Sequence, residues 1–504
     1  MNKTYGTGVR WRTLVLSVAV VFVATLGLNA QPKSAAKEKP ATASAAGGTI
    51  SALFVSDIHF DPFWDPSKVD RLRAAPVSEW KAILAAPDAA DRAERFAQLE
   101  QACKVRVSPD TSYDLYASSL QAISADAGKA KFAVLSGDLM AHEFKCKFTT
   151  LVPQAKPGEY RAFTEKTIEF VMRELRAAVK GVPVYAALGN NDSDCGDYQL
   201  DANSAFLKAT GEDMTSDLRR GDRAEALRTF GEGGFYSARL PAPLERTRIL
   251  VLDDLFMSQR YETCGGKEDP SPAAAQIVWL QQQLDAARRN HERVWVMTHI
   301  PLGVNIYATA TKGINVCSGG KPQMFLKTEA LADAIEGYGD VIKLAIFAHT
   351  HMDEMRLLKP KAQGAPVEGV AIKMVGSISP IGGNNPSFTV AEIDTATSEM
   401  KDYRVFAASD KTGAKWSEEY DFGDTYKEPA FTAETVGDLI AGFRADPNAQ
   451  TAASASYIQD FDSHGAGLTV LKPLWKTYTC ELMGEDAEAF KACVCQGQGT
   501  GNRQ

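Results

Sequence analysis

Ile50-Ser51-Ala52-Leu53-Phe54-Val55-Ser56 runs directly into Asp57-Ile58-His59. An apolar, β-rich run thus delivers a carboxylate and an imidazole at its end, and four later stretches repeat the arrangement. Residues 131–136 precede Gly137-Asp138, residues 183–188 precede Gly189-Asn190-Asn191-Asp192, residues 293–297 precede Thr298-His299-Ile300-Pro301, and residues 343–347 precede Ala348-His349-Thr350-His351. Short apolar runs bounded by Gly, Asp and Asn read as strands. Motifs this far apart in the chain meet only if the runs are strands of open α/β sheets, where ligands bind outside the carboxyl ends. Of the seven histidines in the chain, four fall in these motifs, which marks the convergence point as a metal site.

Imidazole mixed with carboxylate and amide oxygen suits zinc, manganese or iron rather than the all-oxygen cages of calcium. Seven candidate ligands are too many for one ion. The expected assignment gives Asp57, His59 and His351 to one divalent ion and Asn190, His299 and His349 to the other, with Asp138 bridging both. Zinc is favoured, with manganese or iron as alternatives. Two such ions about 3.5–4 Å apart hold a hydroxide, lower its pKa and clamp the oxygens of a phosphoryl centre for in-line attack. The chemistry expected is hydrolysis of phosphate esters.

Asp-x-His, Gly-Asp, Gly-Asn-x-Asp, a lone His and His-x-His, in this order, resemble the calcineurin-like metallophosphoesterases. Phe60-Asp61-Pro62, His142 four residues after Asp138, His349-Thr350-His351-Met352-Asp353-Glu354, Gly376-Ser377-Ile378-Ser379-Pro380 and Asn385-Pro386-Ser387-Phe388 narrow the likeness. Together they are similar to acid sphingomyelinase-like phosphodiesterases and the related endopolyphosphatases, over residues 50–405. The resemblance implies a four-layer α/β/β/α sandwich of two mixed sheets, the metallophosphoesterase fold, with a C-terminal helical extension.

One position departs from the sphingomyelinase pattern. Those enzymes typically carry a histidine where this chain has Asn191, and that histidine is thought to protonate the leaving oxygen, which an amide cannot do. Either the leaving group departs unprotonated, as from an anhydride or a phenol, or another acid such as His142 acts. Asp192 is expected to orient Asn190 or a ligand histidine, Asp353 and Glu354 to orient His351, and Tyr307, in a loop over residues 305–320 at the site mouth, to stack on substrate. His291 and His464 read as surface residues.

Lys3, Arg10 and Arg12 precede an apolar stretch over residues 13–28, so residues 1–30 read as a signal peptide, with an uncleaved anchor as the alternative. Residues 31–48 read as a flexible linker, 49–416 as the catalytic domain and 417–504 as a helical, Cys-containing extension, the strand pattern stopping near Ser417. Loss of three positive charges with the leader takes the net charge from -8 to -11, which disfavours nucleic-acid and anionic-membrane binding; no other apolar stretch is long enough to cross a bilayer, so no stable membrane span is expected after signal cleavage. Eight cysteines in an exported chain point to disulfides, with Cys264–Cys317 and Cys480 with Cys493 or Cys495 as the expected pairs.

Helices are expected over residues 78–104, 113–127, 162–179, 272–290 and 328–336. The expected activity is that of an exported (periplasmic or secreted) metal-dependent phosphodiesterase or polyphosphatase-like enzyme. Its substrates are nucleotide polyphosphates, short polyphosphate or small phosphodiesters. The alternatives are a sphingomyelin phosphodiesterase and a non-catalytic metal-binding protein on the same scaffold.

Overall fold

The computed structural model describes residues 48–105, 109–360, 369–465, 471–483 and 486–496. The signal peptide expected at 1–30 and the linker at 31–48 lie outside these residues, apart from position 48. Twelve strands among the described residues form two sheets. In chain order they are β1 (Thr49–Val55), β2 (Ala133–Ser136), β3 (Val184–Ala187), β4 (Tyr236–Arg239), β5 (Thr247–Val251), β6 (Arg293–Met297), β7 (Ile342–Phe347), β8 (Glu354–Leu358), β9 (Val370–Met374), β10 (Ser387–Asp394), β11 (Met400–Ala408) and β12 (Trp416–Asp421).

One sheet runs β12-β11-β10-β1-β2-β3 and the other β4-β5-β6-β7-β9-β8. Both are mixed: β1-β2-β3 and β5-β6-β7-β9 are parallel and the flanking strands antiparallel. The parallel strands therefore release their chains at the same edge, and the five motifs of the sequence follow β1, β2, β3, β6 and β7.

Period-two alternation explains the layering, because successive side chains of a strand point to opposite faces. In the second sheet Ile249, Val251, Trp295, Met297, Leu344 and Ile346 join the core shared with β1 and β2. Their neighbours Leu250, Val294, Val296, Ala345 and Phe347 pack instead with Leu280 and Leu284 of the helix Ser271–Arg289 and with Leu331 and Ile335 of the helix Ala330–Glu336. A strand buried on both faces reads as a continuous apolar run, which is how these strands appear in sequence. Between the sheets the Trp295 ring meets Phe54 at 5.9 Å and Phe132 at 5.7 Å, and its Nε1 donates to Ser398 O at 2.9 Å. The helices Tyr113–Asp126 and Glu159–Ala178 pack with the first sheet in the larger core.

Three expectations need correction. The helix expected over 78–104 is two helices, Val77–Leu84 and Arg92–Ala102, because Pro87 between them can neither donate a helical hydrogen bond nor clear the preceding turn. The strand pattern does not stop at Ser417: Trp416–Asp421 pairs with β11 as a sheet edge. It escapes pattern reading because Tyr420 is its one buried apolar residue, Ser417 and Glu418 are exposed, and the inward-facing Glu419 is polar. The pair Cys264–Cys317 is not formed; the bridges are Cys103–Cys146, Cys195–Cys264, Cys317–Cys495 and Cys480–Cys493. Backbone bonds from Leu200 N to Glu262 O and from Glu262 N to Tyr198 O bring Cys195 to Cys264, while the tail helix Ala487–Cys495 packs over the turn bearing Cys317.

Trp295→Ala is expected to lower stability by about 3–5 kcal/mol, since it opens a cavity between the sheets and strands Ser398 O. A urea unfolding curve checks this; a midpoint within error of wild type would contradict the inter-sheet role.

Candidate metal centre

Five of the predicted ligands lie in left-handed backbone: Asp57 (φ 46°), His59 (45°), Asp138 (53°), His349 (71°) and His351 (68°). For a non-glycine residue this costs roughly 1–2 kcal/mol, so it persists only where the surroundings fix it. They do so here through hydrogen bonds. Asp57 N donates to Gly137 O at 3.1 Å and His59 N to Asp138 O at 2.9 Å, tying the first two motifs together. The 376–380 turn supplies Ser379 N and Ser377 Oγ to Asp57 O, each at 3.0 Å, and Ser377 N to His351 O at 3.2 Å. Two glycines are sterically required: a Cβ on Gly137 would sit 2.7 Å from His299 Nδ1, and one on Gly189 would collide with Asp138 Oδ1.

The ring orientations follow from backbone acceptors. His59 Nδ1 lies 3.0 Å from Met140 O and His299 Nδ1 2.7 Å from Ser136 O, so each donates there and presents Nε2 inward. His299 Nε2 is 3.1 Å and His59 Nε2 3.5 Å from the same atom, Asp138 Oδ2. His351 Nε2 is 3.4 Å from Asp57 Oδ1 and 3.2 Å from His59 Nε2. Ligand atoms of Asp57, His59 and Asp138 cluster within 4.8 Å of one another, as do those of Asp138, His299 and His349. Asp138 belongs to both groups.

The donor set fits metal ions. Asp57 Oδ1 and Asn190 Oδ1 are buried without a hydrogen-bond partner, and His299 Nε2 faces Asp138 Oδ2. Buried polar atoms cost about 1–3 kcal/mol each when left unsatisfied, and ligation would satisfy both oxygens.

A family model described as calcineurin-like phosphoesterase matches residues 50–353. The chain belongs to the calcineurin-like phosphoesterase family. It is 24% identical over 458 residues to the acid sphingomyelinase-like phosphodiesterase 3b of Homo sapiens, covering 87% of this chain and 89% of that one. It is 25% identical over 399 residues to a cyclic GMP-AMP phosphodiesterase of Mus musculus, covering 77% and 82%. A sphingomyelin phosphodiesterase of Bos taurus matches at 26% over 278 residues, covering 53% of this chain and 38% of that one. This phosphoesterase is a metal-dependent hydrolase of phosphoric esters, in a family that depends on two metal ions.

The other predicted residues have partners the sequence did not indicate. Asn191 is buried and spends its amide on Asp138: Nδ2 donates to Oδ2 at 3.0 Å and the backbone N to Oδ1 at 2.9 Å. It therefore positions the shared carboxylate. Asp192 does not orient Asn190 or a histidine. Its carboxylate accepts from Leu139 N, Met140 N and Gly189 N at 2.8, 3.0 and 2.9 Å, locking two loops by backbone bonds. Asp353 does not orient His351; it is turned away to Lys373 Nζ and to Tyr420 OH at 2.9 Å. Glu354 is likewise engaged by Thr350, Arg356 and Tyr478. Tyr307 does not line an open mouth. The 305–320 segment folds under the C-terminal helices, the Tyr307 ring lies 6.4 Å from that of Phe461, and its hydroxyl is buried near Glu354 and Glu481.

His142 stacks on His59 at 4.2 Å with its side chain 30% exposed, and its Nδ1 is held 3.0 Å from Asp110 Oδ1. Asp110 also accepts from His142 N at 2.9 Å and from Lys147 Nζ. Nothing in the spacing of Asp110 announced it, because the contact spans 32 residues. Also unforeseen are Asp254, which accepts from the backbone N of Ile300 at 3.0 Å, and the aromatic surround of His349. There the rings of Tyr198 and Phe325 meet His349 edge-on at 6.4 and 5.9 Å, and the Arg260 guanidinium lies 3.9 Å over Tyr198.

Burial opposes protonation of His299 and His59, but Asp138 overcomes it and raises them to about 10 and about 9. Burial, with His299 adding to it, pushes His349 down to about 3. For Asp57 the order reverses: burial works to raise it, and His351, His59 and His299 together lower it to about 2.

Two outcomes follow. His59 and His299 are protonated below about pH 9 and must be neutral to ligate, so metal loading at pH 7 releases about two protons per chain and tightens as pH rises. Calorimetric titration of chelator-stripped protein in buffers of different protonation enthalpy checks this; zero net release would contradict it. Separately, Asp138→Asn is expected to lose at least one ion and most activity, whereas His291→Ala, on the surface, loses neither. Wild-type metal content in Asp138→Asn by elemental analysis would remove Asp138 from its bridging role.

Proposed function

We propose that this chain is an exported dinuclear hydrolase of phosphodiester or phosphoanhydride bonds in small, soluble, nucleotide-type substrates, with zinc as the favoured metal. The observation that carries the reading is the pair of ligand groups sharing Asp138. Asp57, His59 and His351 would hold one ion and Asn190, His299 and His349 the other. Two such ions supply a nucleophile from water at neutral pH and charge stabilisation for the phosphoryl oxygens.

The chain's own residues provide the rest. Asn191 keeps Asp138 in register. With Nδ1 of His142 committed to Asp110, Nε2 is the nitrogen left to pass a proton to the departing oxygen. Tyr198 offers a ring for a base and the exposed Arg260 a charge for a second phosphate; relatives named for action on a cyclic dinucleotide agree with this.

A sphingomyelin substrate is disfavoured. A lipid-engaging enzyme needs an apolar landing surface, and Val278 is the large hydrophobic side chain left exposed among the described residues. Export is supported by the four disulfides, which persist in oxidising compartments. Among the described residues no helix is long and apolar enough to cross a membrane.

The test is a kcat/KM series over leaving groups of rising pKa for wild type, His142→Ala and Asp110→Asn. General acid catalysis is worth about 10² to 10⁴, so His142→Ala should lose that factor on alkyl esters while p-nitrophenyl phosphodiesters are little changed, with Asp110→Asn intermediate. A wild-type series already as steep as that of His142→Ala would show that the leaving group departs unassisted.

A further inference from the structure

Away from the Asp138 centre, a second group of ligand-type side chains lies between β12 and the turn that follows the helix Ala452–Asp460. Glu419 points inward from β12 with its side chain only 3% exposed, and neither Oε1 nor Oε2 has a hydrogen-bond partner. Asp460, its side chain 9% exposed, and His464, half-exposed, face it. His464 Nε2 is 3.4 Å from Glu419 Oε1 and 3.9 Å from Asp460 Oδ1. One ligand atom from each of the three lies within 4.8 Å of the other two.

A buried carboxylate without a well-formed hydrogen bond is unstable unless something compensates it, and the nearby Ser463 hydroxyl offsets only part of the cost. Protonation does not complete the group: a neutral carboxyl could donate to His464 Nε2, but its other oxygen would still lack a full donor. The nearest ammonium does not compensate it either: Lys373 Nζ is engaged by Asp353 and by Met374 O. Asp462, buried beside the group, adds negative charge. Burial and Asp460 push the Glu419 carboxyl up to about 8, in keeping with a site short of positive charge.

The spacing suits a metal ion. Donors about 2.1 Å from a tetrahedral ion lie about 3.4 Å from one another, which is the separation of His464 Nε2 and Glu419 Oε1. Two carboxylates with one imidazole select a borderline divalent cation over calcium or magnesium.

We propose that Glu419, Asp460 and His464 bind a further divalent cation of the zinc or manganese type, separate from the Asp138 pair. Its effect is to fasten the 460–465 turn to β12. That turn backs the His351 loop: Phe461 O accepts from Asp353 N at 2.8 Å and Asp462 O from Asn385 N at 3.1 Å.

The experiment is equilibrium dialysis of chelator-stripped full-length protein against zinc chloride and, in parallel, manganese chloride, with bound metal measured by mass spectrometry. Wild type should hold about one ion more per chain than either Glu419→Gln or His464→Ala, while Asp138→Asn retains that extra ion. Both variants should hydrolyse bis-p-nitrophenyl phosphate at rates close to wild type. If Glu419→Gln fails to fold, His464→Ala decides, because that side chain is half-exposed. Equal ion counts in wild type and folded His464→Ala overturn the proposal, whatever Asp138→Asn shows about the Asp138 pair.

Discussion

A single ionised carboxylate, that of Asp138, is held almost out of reach of water between two imidazoles. Burying such a charge costs several kcal/mol unless every lone pair is answered. The surrounding sequence answers them one by one: the Asn191 amide and backbone N take both oxygens, and His299 and His59 close on Oδ2. Gly137 and Gly189 exist at their positions because any side chain would strike these groups. Asp192, one residue beyond Asn191, uses three backbone N–H groups to stop the two loops from sliding apart. The strained conformations at Asp57, His59, His349 and His351 are tolerated for the same reason, since relaxing any of them would withdraw a partner from the charge.

The scaffold around this charge has two tiers. Parallel strands β1, β2 and β3 of one sheet and β6 and β7 of the other end at a common level, and Trp295 wedges the sheets at a fixed distance. Behind the His351 loop lies a polar network rather than an apolar one. Arg356 joins Glu354 at 2.9 Å and Glu481 at 2.8 Å, Tyr478 OH donates to Glu354 at 2.8 Å, and Tyr457 OH lies 2.8 Å from Tyr478 OH. Glu481 and Tyr478 come from the C-terminal helices, so the network is complete only with the tail docked. Such networks favour one arrangement over near alternatives because partial satisfaction is worse than none.

The sequence made the centre legible because metal ligands must be particular residue types, and strand ends deliver them at fixed points after apolar runs. All seven predicted ligands lie on the loops that converge there. The α/β class was legible from helices alternating with apolar strand runs, while the four-layer form came from the family resemblance of the motifs. What escaped reading depends on pairings that no periodicity encodes. Asp110 behind His142, Asp254 under the His299 loop and the Tyr198–Arg260 stack are long-range contacts between polar residues in irregular loops. Asp353 and Tyr307 were misplaced because proximity in sequence to a ligand says little once the chain turns: one is captured by Lys373, the other by the tail. The strand Trp416–Asp421 was missed because an edge strand exposes most of its side chains, and the Cys264 partner because loops cross between the strands.

The bonds that define the centre are among the most distant in the chain. His349 N reaches Asp57 across 292 residues, and Ser377 Oγ reaches Asp57 O across 320. No N-terminal fragment can assemble even one complete ligand set, so the pocket comes into being only after nearly all of the polypeptide has been made and both sheets have docked. Ion choice then passes from the protein to its surroundings. Affinities of such nitrogen and oxygen sites differ among first-row metals in an order the ligands alone do not reverse, and a chain that closes late takes the ions of whatever compartment it closes in.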